Sequence, residues 1–350
     1  MSLTPAGPNA DHNAPVSGPL ADQFGRIAHD LRISVTDRCN LRCTYCLPES
    51  GIDWLPKDSA LTLDEIVRLA TIAVERLGIT AIRFTGGEPL LRKDIGELIR
   101  RIASLRPRPE LALTTNGIGL RIRAGELAAA GLDRVNVSLD TTDPAHFTAI
   151  TRRDRIGDVL AGLESAADAG LRPVKVNAVL DPQTGLDDLA ALLRLCLRRG
   201  YELRVIEQMP LDAGHHWQRT EMVTATQVID RLRADGAELI ADERPRGSAP
   251  AERWRVRTAD GDEGTIGIIA AVSSPFCADC DRTRLTADGQ LRSCLFARSE
   301  TDLRTLLRGD ADDDTIEQAW RKAMWAKAAG HGIDDVTFQQ PDRPMSAIGG

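Results

Sequence analysis

The stretch Leu31-Arg-Ile-Ser-Val-Thr-Asp-Arg-Cys-Asn-Leu-Arg-Cys-Thr-Tyr-Cys46 joins a short β-branched run, Leu31–Thr36, to three thiols with three and two residues between them, Cys39, Cys43 and Cys46. The run reads as a strand, so the thiols follow at its carboxyl end, where parallel α/β sheets and barrels carry their active sites. A cubane iron–sulfur cluster usually takes four thiolates, and a set of three leaves one iron free to bind something other than protein. A second trio, Cys277, Cys280 and Cys294, repeats the shortage in the last quarter of the chain, and only Cys196 is left over.

Outward from that stretch, β-branched runs alternate with helical patterns. Ala81–Thr85, Glu110–Thr115, Arg134–Leu139, Pro173–Leu180 and Glu202–Gln208 join Leu31–Thr36 as predicted strands. Six βα units in series imply a parallel sheet, open or curled into part of a barrel. The clearest helix begins at Thr62, where Thr62 and Glu65 form a capping box and Ile66, Leu69, Ala70, Ala73, Val74 and Leu77 recur on one face. Gly78 stops it. Beyond Pro210 the rhythm changes: a helix at Ala225–Ala234 precedes strands Arg253–Thr258 and Gly264–Val272, turned through Asp260-Gly261. A second hairpin, Arg284–Leu285 with Gln290–Leu295, turns at Ala287-Asp288-Gly289. This reads as a separate, partly antiparallel module, followed by helices near Asp302–Leu307 and Asp314–Lys327. The expected divisions are a disordered leader over 1–24, a strand–helix body over 25–220, a C-terminal module over 221–340 and a tail over 341–350 that lacks a core pattern and reads as a mobile end.

With 350 residues, 42% of them hydrophobic, the chain can build one large α/β domain or two smaller ones without disulfide stapling. No run approaches about eighteen apolar residues, and the opening residues lack a signal pattern, which points to a cytoplasmic protein. In a reducing cytosol close-set cysteines are ligands or redox groups rather than structural disulfides. A net charge of −7 argues against nucleic-acid binding through the overall field, so an anionic ligand must be held by a local basic pocket. The positive residues are almost all arginine. Arginine suits forked phosphate contacts, although a biased genome accounts for the skew as well.

The competing reading of the first trio is a zinc site closed by a distant fourth ligand such as Cys196 or a histidine, because structural zinc normally takes four protein ligands. The second trio lies closer to zinc, since Cys277-x₂-Cys280 is an ordinary half-site. Its partner half is missing: Cys294 stands alone, and no histidine occurs between His216 and His331. A second open cluster explains the count more simply. Cys196, on the apolar pattern Leu192-Leu193-Leu195-Cys196, reads as a packing residue of a helix.

With the aromatic Tyr45 before its last cysteine, Cys39-x₃-Cys43-x₂-Cys46 resembles the signature of the radical S-adenosylmethionine (SAM) superfamily. Gly86-Gly87-Glu88-Pro89, after the second strand, matches that superfamily's contact with the methionine part of SAM. The segment Phe276-Cys-Ala-Asp-Cys-Asp-Arg-Thr-Arg-Leu-Thr-Ala-Asp-Gly-Gln-Leu-Arg-Ser-Cys-Leu295 is similar to the C-terminal signature of the GTP 3′,8-cyclase family. So, in the same order along the chain, are stretches 30–40, 82–89, 113–117, 135–140 and 174–177, and the terminal Gly349-Gly350.

The resemblance implies an incomplete (βα)₆ TIM-like barrel with a C-terminal second-cluster module, and two [4Fe-4S] clusters, one on each cysteine trio. SAM would occupy the open iron of the first and GTP that of the second. It further implies that a 5′-deoxyadenosyl radical takes the ribose 3′ hydrogen, that the carbon radical attacks guanine C8, and that one electron and one proton finish the product, a first step of molybdenum cofactor synthesis. Carried over by motif, Arg32, Arg83, Thr114, Lys175, Arg282, Thr283 and Arg284 hold GTP, while Tyr45, Gly87, Ser138 and Met209 hold SAM. Arg282, Arg284 and the Gly349-Gly350 tail belong to the catalytic machinery. Taken singly, Arg83, Thr114, Ser138 and Met209 would be ordinary solvated, hydrogen-bonded or packing residues. The implied partners are an external electron donor, a downstream cyclic pyranopterin monophosphate synthase and a second copy in a homodimer, with no nucleic acid or membrane. Asp281 departs from the small polar residue the family pattern expects, and could pair with Arg282 or alter the cluster's surroundings. The alternatives are a peptide-modifying radical SAM enzyme with an auxiliary cluster and a non-catalytic zinc or cluster regulatory protein.

Overall fold

The computed structural model describes residues 14–349. Six strands, β1 Asp30–Ser34, β2 Ala81–Thr85, β3 Glu110–Thr115, β4 Arg134–Ser138, β5 Val174–Ala178 and β6 Glu202–Ile206, pair side by side in chain order, each parallel to the next. Between them run α1 Leu63–Glu75, α2 Ile95–Ala103, α3 Leu120–Ala129, α4 Pro144–Thr151, α5 Ile156–Asp168 and α6 Gly185–Arg199. The capping box of α1 is formed: the Thr62 hydroxyl accepts the Glu65 N–H, and the Glu65 carboxylate accepts the Thr62 N–H. Its buried residues, Leu69 and Ala73 among them, share one core with Ile82 and Phe84 of β2. Cys196, as its apolar pattern implies, is buried in α6.

The strand pleat decides what lies inside. In β1, β2 and β6 an arginine is bracketed by apolar residues, Leu31-Arg32-Ile33, Ile82-Arg83-Phe84 and Leu203-Arg204-Val205, and the brackets belong to the core. Alternation then sends Arg32, Arg83 and Arg204 to the opposite face, where all three line one interior cavity.

The remaining elements are α7 Ala225–Ala234, β7 Glu238–Ala241, β8 Glu252–Arg257, β9 Glu263–Ile269, β10 Arg282–Leu285, β11 Gln290–Arg292, β12 Thr301–Asp302, α8 Leu303–Arg308, α9 Asp313–Trp325 and α10 Met345–Ile348. They form the C-terminal module that the sequence implies, but its strands build no sheet of their own. All twelve strands form one sheet in the order β12-β11-β10-β1-β2-β3-β4-β5-β6-β9-β8-β7. β10 lies parallel to β1, and β9 parallel to β6. The six-strand row would otherwise end in two open edges with unpaired N–H and C=O groups, and each is covered by one C-terminal hairpin.

The described part of the expected leader, residues 14–24, packs rather than hanging free. Leu20 is fully buried, and α9 holds the segment through Gln318 to the Val16 carbonyl at 2.9 Å and Arg321 to the Gly18 carbonyl at 2.9 Å. The tail also packs: Ile348 is fully buried, and the Met345 N–H donates to the Leu211 carbonyl at 2.9 Å. Gly350 and the first thirteen positions lie outside the described residues.

Candidate functional site

Cys39, Cys43 and Cys46 sit in the loop after β1. Its backbone is fastened to the end of α4: Arg42 N–H donates to Thr151 and Thr44 N–H to Ile150, while the Arg152 guanidinium reaches the Arg42 and Leu47 carbonyls. All three thiols are partly buried and line the interior cavity. Burial, then Asp140 and the neighbouring thiols, pushes Cys43 well above its ordinary range, and burial followed by the Cys39 charge pushes Cys46 up to about 12. Groups so placed are held apart from water as neutral thiols, and iron binding would strip their protons. Among the described residues no three His, Cys, Asp or Glu side chains are grouped to hold a single metal ion. Iron–sulfur clusters are held by cysteine thiolates, and three thiols lining one cavity offer donors of that kind.

The loop after β2 presses directly on this one. Gly87 N–H donates to the Thr36 carbonyl at 2.9 Å and Glu88 N–H to the Arg38 carbonyl at 2.7 Å. A Cβ on Gly86 would meet the Thr36 oxygen at 2.2 Å, and one on Gly87 the Arg38 oxygen at 2.3 Å. Only glycine permits this approach, which leaves a side-chain-free backbone beside the cysteine loop. Glu88 then turns inward. Fully buried, its carboxylate accepts from Leu90 N–H, Asn116 N–H and the Thr115 hydroxyl. Burial raises it to about 7 from an ordinary 4.5. Between those values the folded chain holds a proton that the unfolded chain has released, so stability falls as pH rises through the window and levels off above it. In the cluster-free protein this component should reach a slope of about 1.4 kcal/mol per pH unit and vanish in Glu88→Gln. Thermal unfolding at several pH values checks it; parallel profiles for the two proteins would contradict it.

Across the cavity, Tyr45 donates its hydroxyl to Asp140 Oδ2 at 2.8 Å, and Asp140 Oδ1 accepts the Val179 N–H at 2.9 Å. Burial raises Asp140 to about 6. Ser138 and Met209 line the same space.

The deeper wall is cationic. Register places Arg284 of β10 beside Arg32 of β1, and Arg32 beside Arg83 of β2. Asp30 approaches both Arg32 and Arg83 at 3.9 Å, and Asp30 stands in register with Arg282. Nε of Arg32, of Arg83 and of Arg282 are buried without a hydrogen-bond partner in the described structure. Burial, followed by the charge of Arg32, pulls both Arg83 and Arg284 downward. Lys175 of β5 is drawn down to about 7 by burial and then by Arg204. A cavity wall of several crowded cations with orphaned donors is a site built for a polyanion.

The second trio flanks β10 and β11. Cys277 opens a short turn after Phe276, and Cys294 packs against a cluster containing Leu211, Leu295, Phe296 and Ile348. Arg26 clamps the turn from behind, donating to the carbonyls of Cys277 at 2.7 Å, Ala328 at 2.6 Å and Ala329 at 2.9 Å. Burial raises Cys277, and the Cys294 and Cys280 charges add to it. Burial alone would raise Cys280 too, yet Lys327 and Arg282 bring it below its ordinary value. Arg282 lies over the Phe276 ring at 4.9 Å and donates to the Ser248 carbonyl at 2.5 Å. No described ion pair joins Asp281 to Arg282; the Asp281 carbonyl instead accepts from His29 and Asp30 N–H, tying β10 to β1.

Of the residues singled out by sequence, Cys39, Cys43, Cys46, Tyr45, Gly87, Ser138, Met209, Arg32, Arg83, Thr114, Arg282 and Arg284 all line the one cavity. Thr283 does not. It is fully buried on the opposite face of β10, with its hydroxyl accepting Trp320 Nε1–H at 3.1 Å, because alternation turns it away from its neighbours Arg282 and Arg284. Gly349 lies beside the wall: Arg284 donates to its carbonyl, and a Cβ there would meet Ser34 Oγ at 2.2 Å. Arg204, Asn116 and Asn177 also line the cavity and were not singled out. The signal for Arg204 was present in Leu203-Arg204-Val205, the same bracket that surrounds Arg32 and Arg83.

Residues 33–196 match the radical SAM superfamily, and residues 201–333 match a family described as Molybdenum Cofactor Synthesis C. The chain is 64% identical over 354 residues to a GTP 3′,8-cyclase of Mycobacterium sp. (strain KMS), covering 100% of both chains. It is 64% identical over 337 residues to GTP 3′,8-cyclase 2 of Mycobacterium tuberculosis, covering 96% of this chain and 93% of that one. Among solved structures, Streptococcus suis SuiB bound to precursor peptide SuiA superposes with a TM-score of 0.59 at 13% identity, over 91% of this chain and 75% of that one. At such identity the likeness concerns the fold alone.

Proposed function

The chain belongs to the GTP 3′,8-cyclase family of the radical SAM superfamily, and from that premise we propose how its residues divide the work. The reaction is the cyclisation of GTP to (8S)-3′,8-cyclo-7,8-dihydroguanosine 5′-triphosphate, which opens molybdenum cofactor synthesis. The observation that carries the division is a single cavity with Cys39, Cys43 and Cys46 on one wall and the inward arginines of β10, β1, β2 and β6 on another. Cys39, Cys43 and Cys46 would hold a cluster that, with SAM, would supply the radical chemistry for removing the ribose 3′ hydrogen.

The protein's own part is positioning. Gly86 and Gly87 offer bare backbone to the methionine part of SAM, and Tyr45, fixed by Asp140, closes that end with Ser138 and Met209. Arg32, Arg83, Arg282, Arg284 and Lys175 hold the triphosphate, with Arg204 added by its place in the same wall; guanidinium forks meet phosphate oxygens in pairs. Thr114 lines the same cavity and joins the GTP contacts. Cys277, Cys280 and Cys294 would hold a second [4Fe-4S] cluster, and the Gly349 backbone approaches Ser34 where a side chain could not. An external donor supplies electrons, and the product passes to the next enzyme of the pathway. An interior lined by arginine suits a polyphosphate and gives a peptide chain nothing comparable to bind.

Anaerobic reconstitution tests this. With SAM, a strong reductant and each nucleotide in turn, GTP should yield both 5′-deoxyadenosine and a cyclised nucleotide. Steady SAM cleavage with no cyclised product from GTP would reject the reading.

Lys175 gives the reaction a pH signature. In the free protein burial and then Arg204 draw it down to about 7. A neighbouring triphosphate favours its charged form, so the complex binds more protons than the free protein above that point. GTP affinity should therefore weaken as pH rises above about 7, by at most about tenfold per unit. Lys175→Arg should flatten this component of the KM–pH profile; an unaltered profile would contradict the assignment.

A further inference from the structure

One buried charge has no place in that scheme. Lys327, two residues beyond α9, is 2% exposed. Its ammonium donates to the carbonyls of Arg282 at 2.9 Å and Cys280 at 3.1 Å, and its third contact is Cys280 Sγ at 3.4 Å. An ammonium has three donors, and these contacts use all of them. No ion pair to a carboxylate is formed by Lys327 among the described residues. A buried cation is costly unless something carries an opposite charge, and backbone carbonyls supply only dipoles. The one contact that can become an anion is the Cys280 sulfur.

The first trio is built differently. Among the described residues Cys39 Sγ receives hydrogen bonds from neutral groups, Leu41 N–H at 3.5 Å and Asn116 Nδ2 at 3.9 Å, while the Arg42 charge acts on it without a described hydrogen bond to the sulfur. Near the second trio, Arg282 Nη1 reaches Cys280 Sγ at 3.8 Å, but that guanidinium is shared with the Ser248 carbonyl and the Phe276 ring. The ammonium is closer, fully enclosed and fixed by two carbonyls.

We propose that Lys327 is the resident counter-charge of the second cluster, a positioning residue that donates a hydrogen bond to the Cys280 sulfur and holds that cluster's reduction potential up. A cluster gains negative charge on reduction, and a nearby cation and a hydrogen bond to a ligand sulfur both favour the reduced form. The inference rests on the reading of Cys277, Cys280 and Cys294 as cluster ligands.

The test is a redox titration of the reconstituted holoenzyme followed by electron paramagnetic resonance, with the two signals assigned using Cys43→Ser protein. In Lys327→Met, iron should stay at about eight per chain, the second cluster's midpoint should move negative, and the first cluster's should stay in place. Lys327→Arg, which keeps a cation, should reverse most of the shift. An unmoved second midpoint with iron retained overturns the proposal, as does an equal shift of both clusters, which would mark a general loosening. If Lys327→Met sheds the second cluster's iron, Lys327→Gln takes its place with the same negative shift expected, and an unmoved midpoint there is equally fatal. Wild-type protein holding only about four irons would instead defeat the two-cluster reading beneath it.

Discussion

Cys43→Ser protein is expected to release no 5′-deoxyadenosine above background while keeping its fold and its second cluster. On the proposed assignment Cys43 is the middle ligand of three, so its loss would leave the first cluster two protein thiolates where four is usual. Serine does not replace it. The site already opposes ionisation, because burial and then Asp140 hold even a thiol well above its ordinary range, and an alcohol is a far weaker acid. The loop cannot bring in another donor, because Thr151, Ile150 and Arg152 fasten its backbone to the end of α4. A fall of at least about a thousandfold, or about 4 kcal/mol in the barrier, is the expected size. Thermal stability should move little, since Cys43 only packs against the edge of the main core. Anaerobic turnover followed by quantitation of 5′-deoxyadenosine checks the first statement. Iron analysis checks the second, with a drop from about eight to about four atoms. SAM cleavage within tenfold of wild type would remove Cys43 from the cluster.

Much of this architecture was legible in the chain because parallel βα units write a local signature. The six strands, the Thr62 capping box and the helix at Ala225–Ala234 all stand where short-range patterns put them. The partners of the hairpins were not legible. Nothing near Arg282 announces that β10 will pair with β1, some 250 residues earlier; the cause is an open sheet edge, a property of the assembled fold. Thr283 was misplaced for a smaller reason. It stands between two arginines of a matching motif, and a motif does not say which way a strand faces, whereas a one-residue step in a strand turns a side chain through the sheet. Leu20 was hidden in a Pro- and Gly-rich stretch; it is buried, and its segment is held through the Val16 and Gly18 carbonyls by α9, about 300 residues away. Lys327 carries no local signal either, since its meaning comes from Cys280 across a turn of the fold.

Arg284→Met should cost the enzyme its product without costing the protein its fold. Adjacent strands lie about 4.8 Å apart, and the register sets Arg284, Arg32 and Arg83 in a row across three of them. Asp30 reaches the latter two at 3.9 Å, whereas among the described residues Arg284 donates its hydrogen bond to the Gly349 carbonyl. Burial, and after it the charge of Arg32, pulls Arg284 downward. A triphosphate held there, as proposed, would offset the crowding of like charges. Removing one buried, hydrogen-bonded member of such a charge pair costs about 2–5 kcal/mol of binding, or about thirty- to several-thousand-fold in kcat/KM for GTP. Part of the loss should fall on kcat, because the Gly349 carbonyl loses the donor that holds the tail beside Ser34. Stability should go the other way. Deleting a like charge from a crowded wall, with an unbranched apolar side chain in its place, should leave Tm unchanged or raised, the expected relation where a site is strained for function. GTP-independent SAM cleavage should persist, which separates a substrate-side loss from damage to the first cluster. Steady-state kinetics beside thermal unfolding decides the matter: a lowered Tm with product formation within fivefold of wild type would make Arg284 a structural residue and remove the central cation from the triphosphate wall.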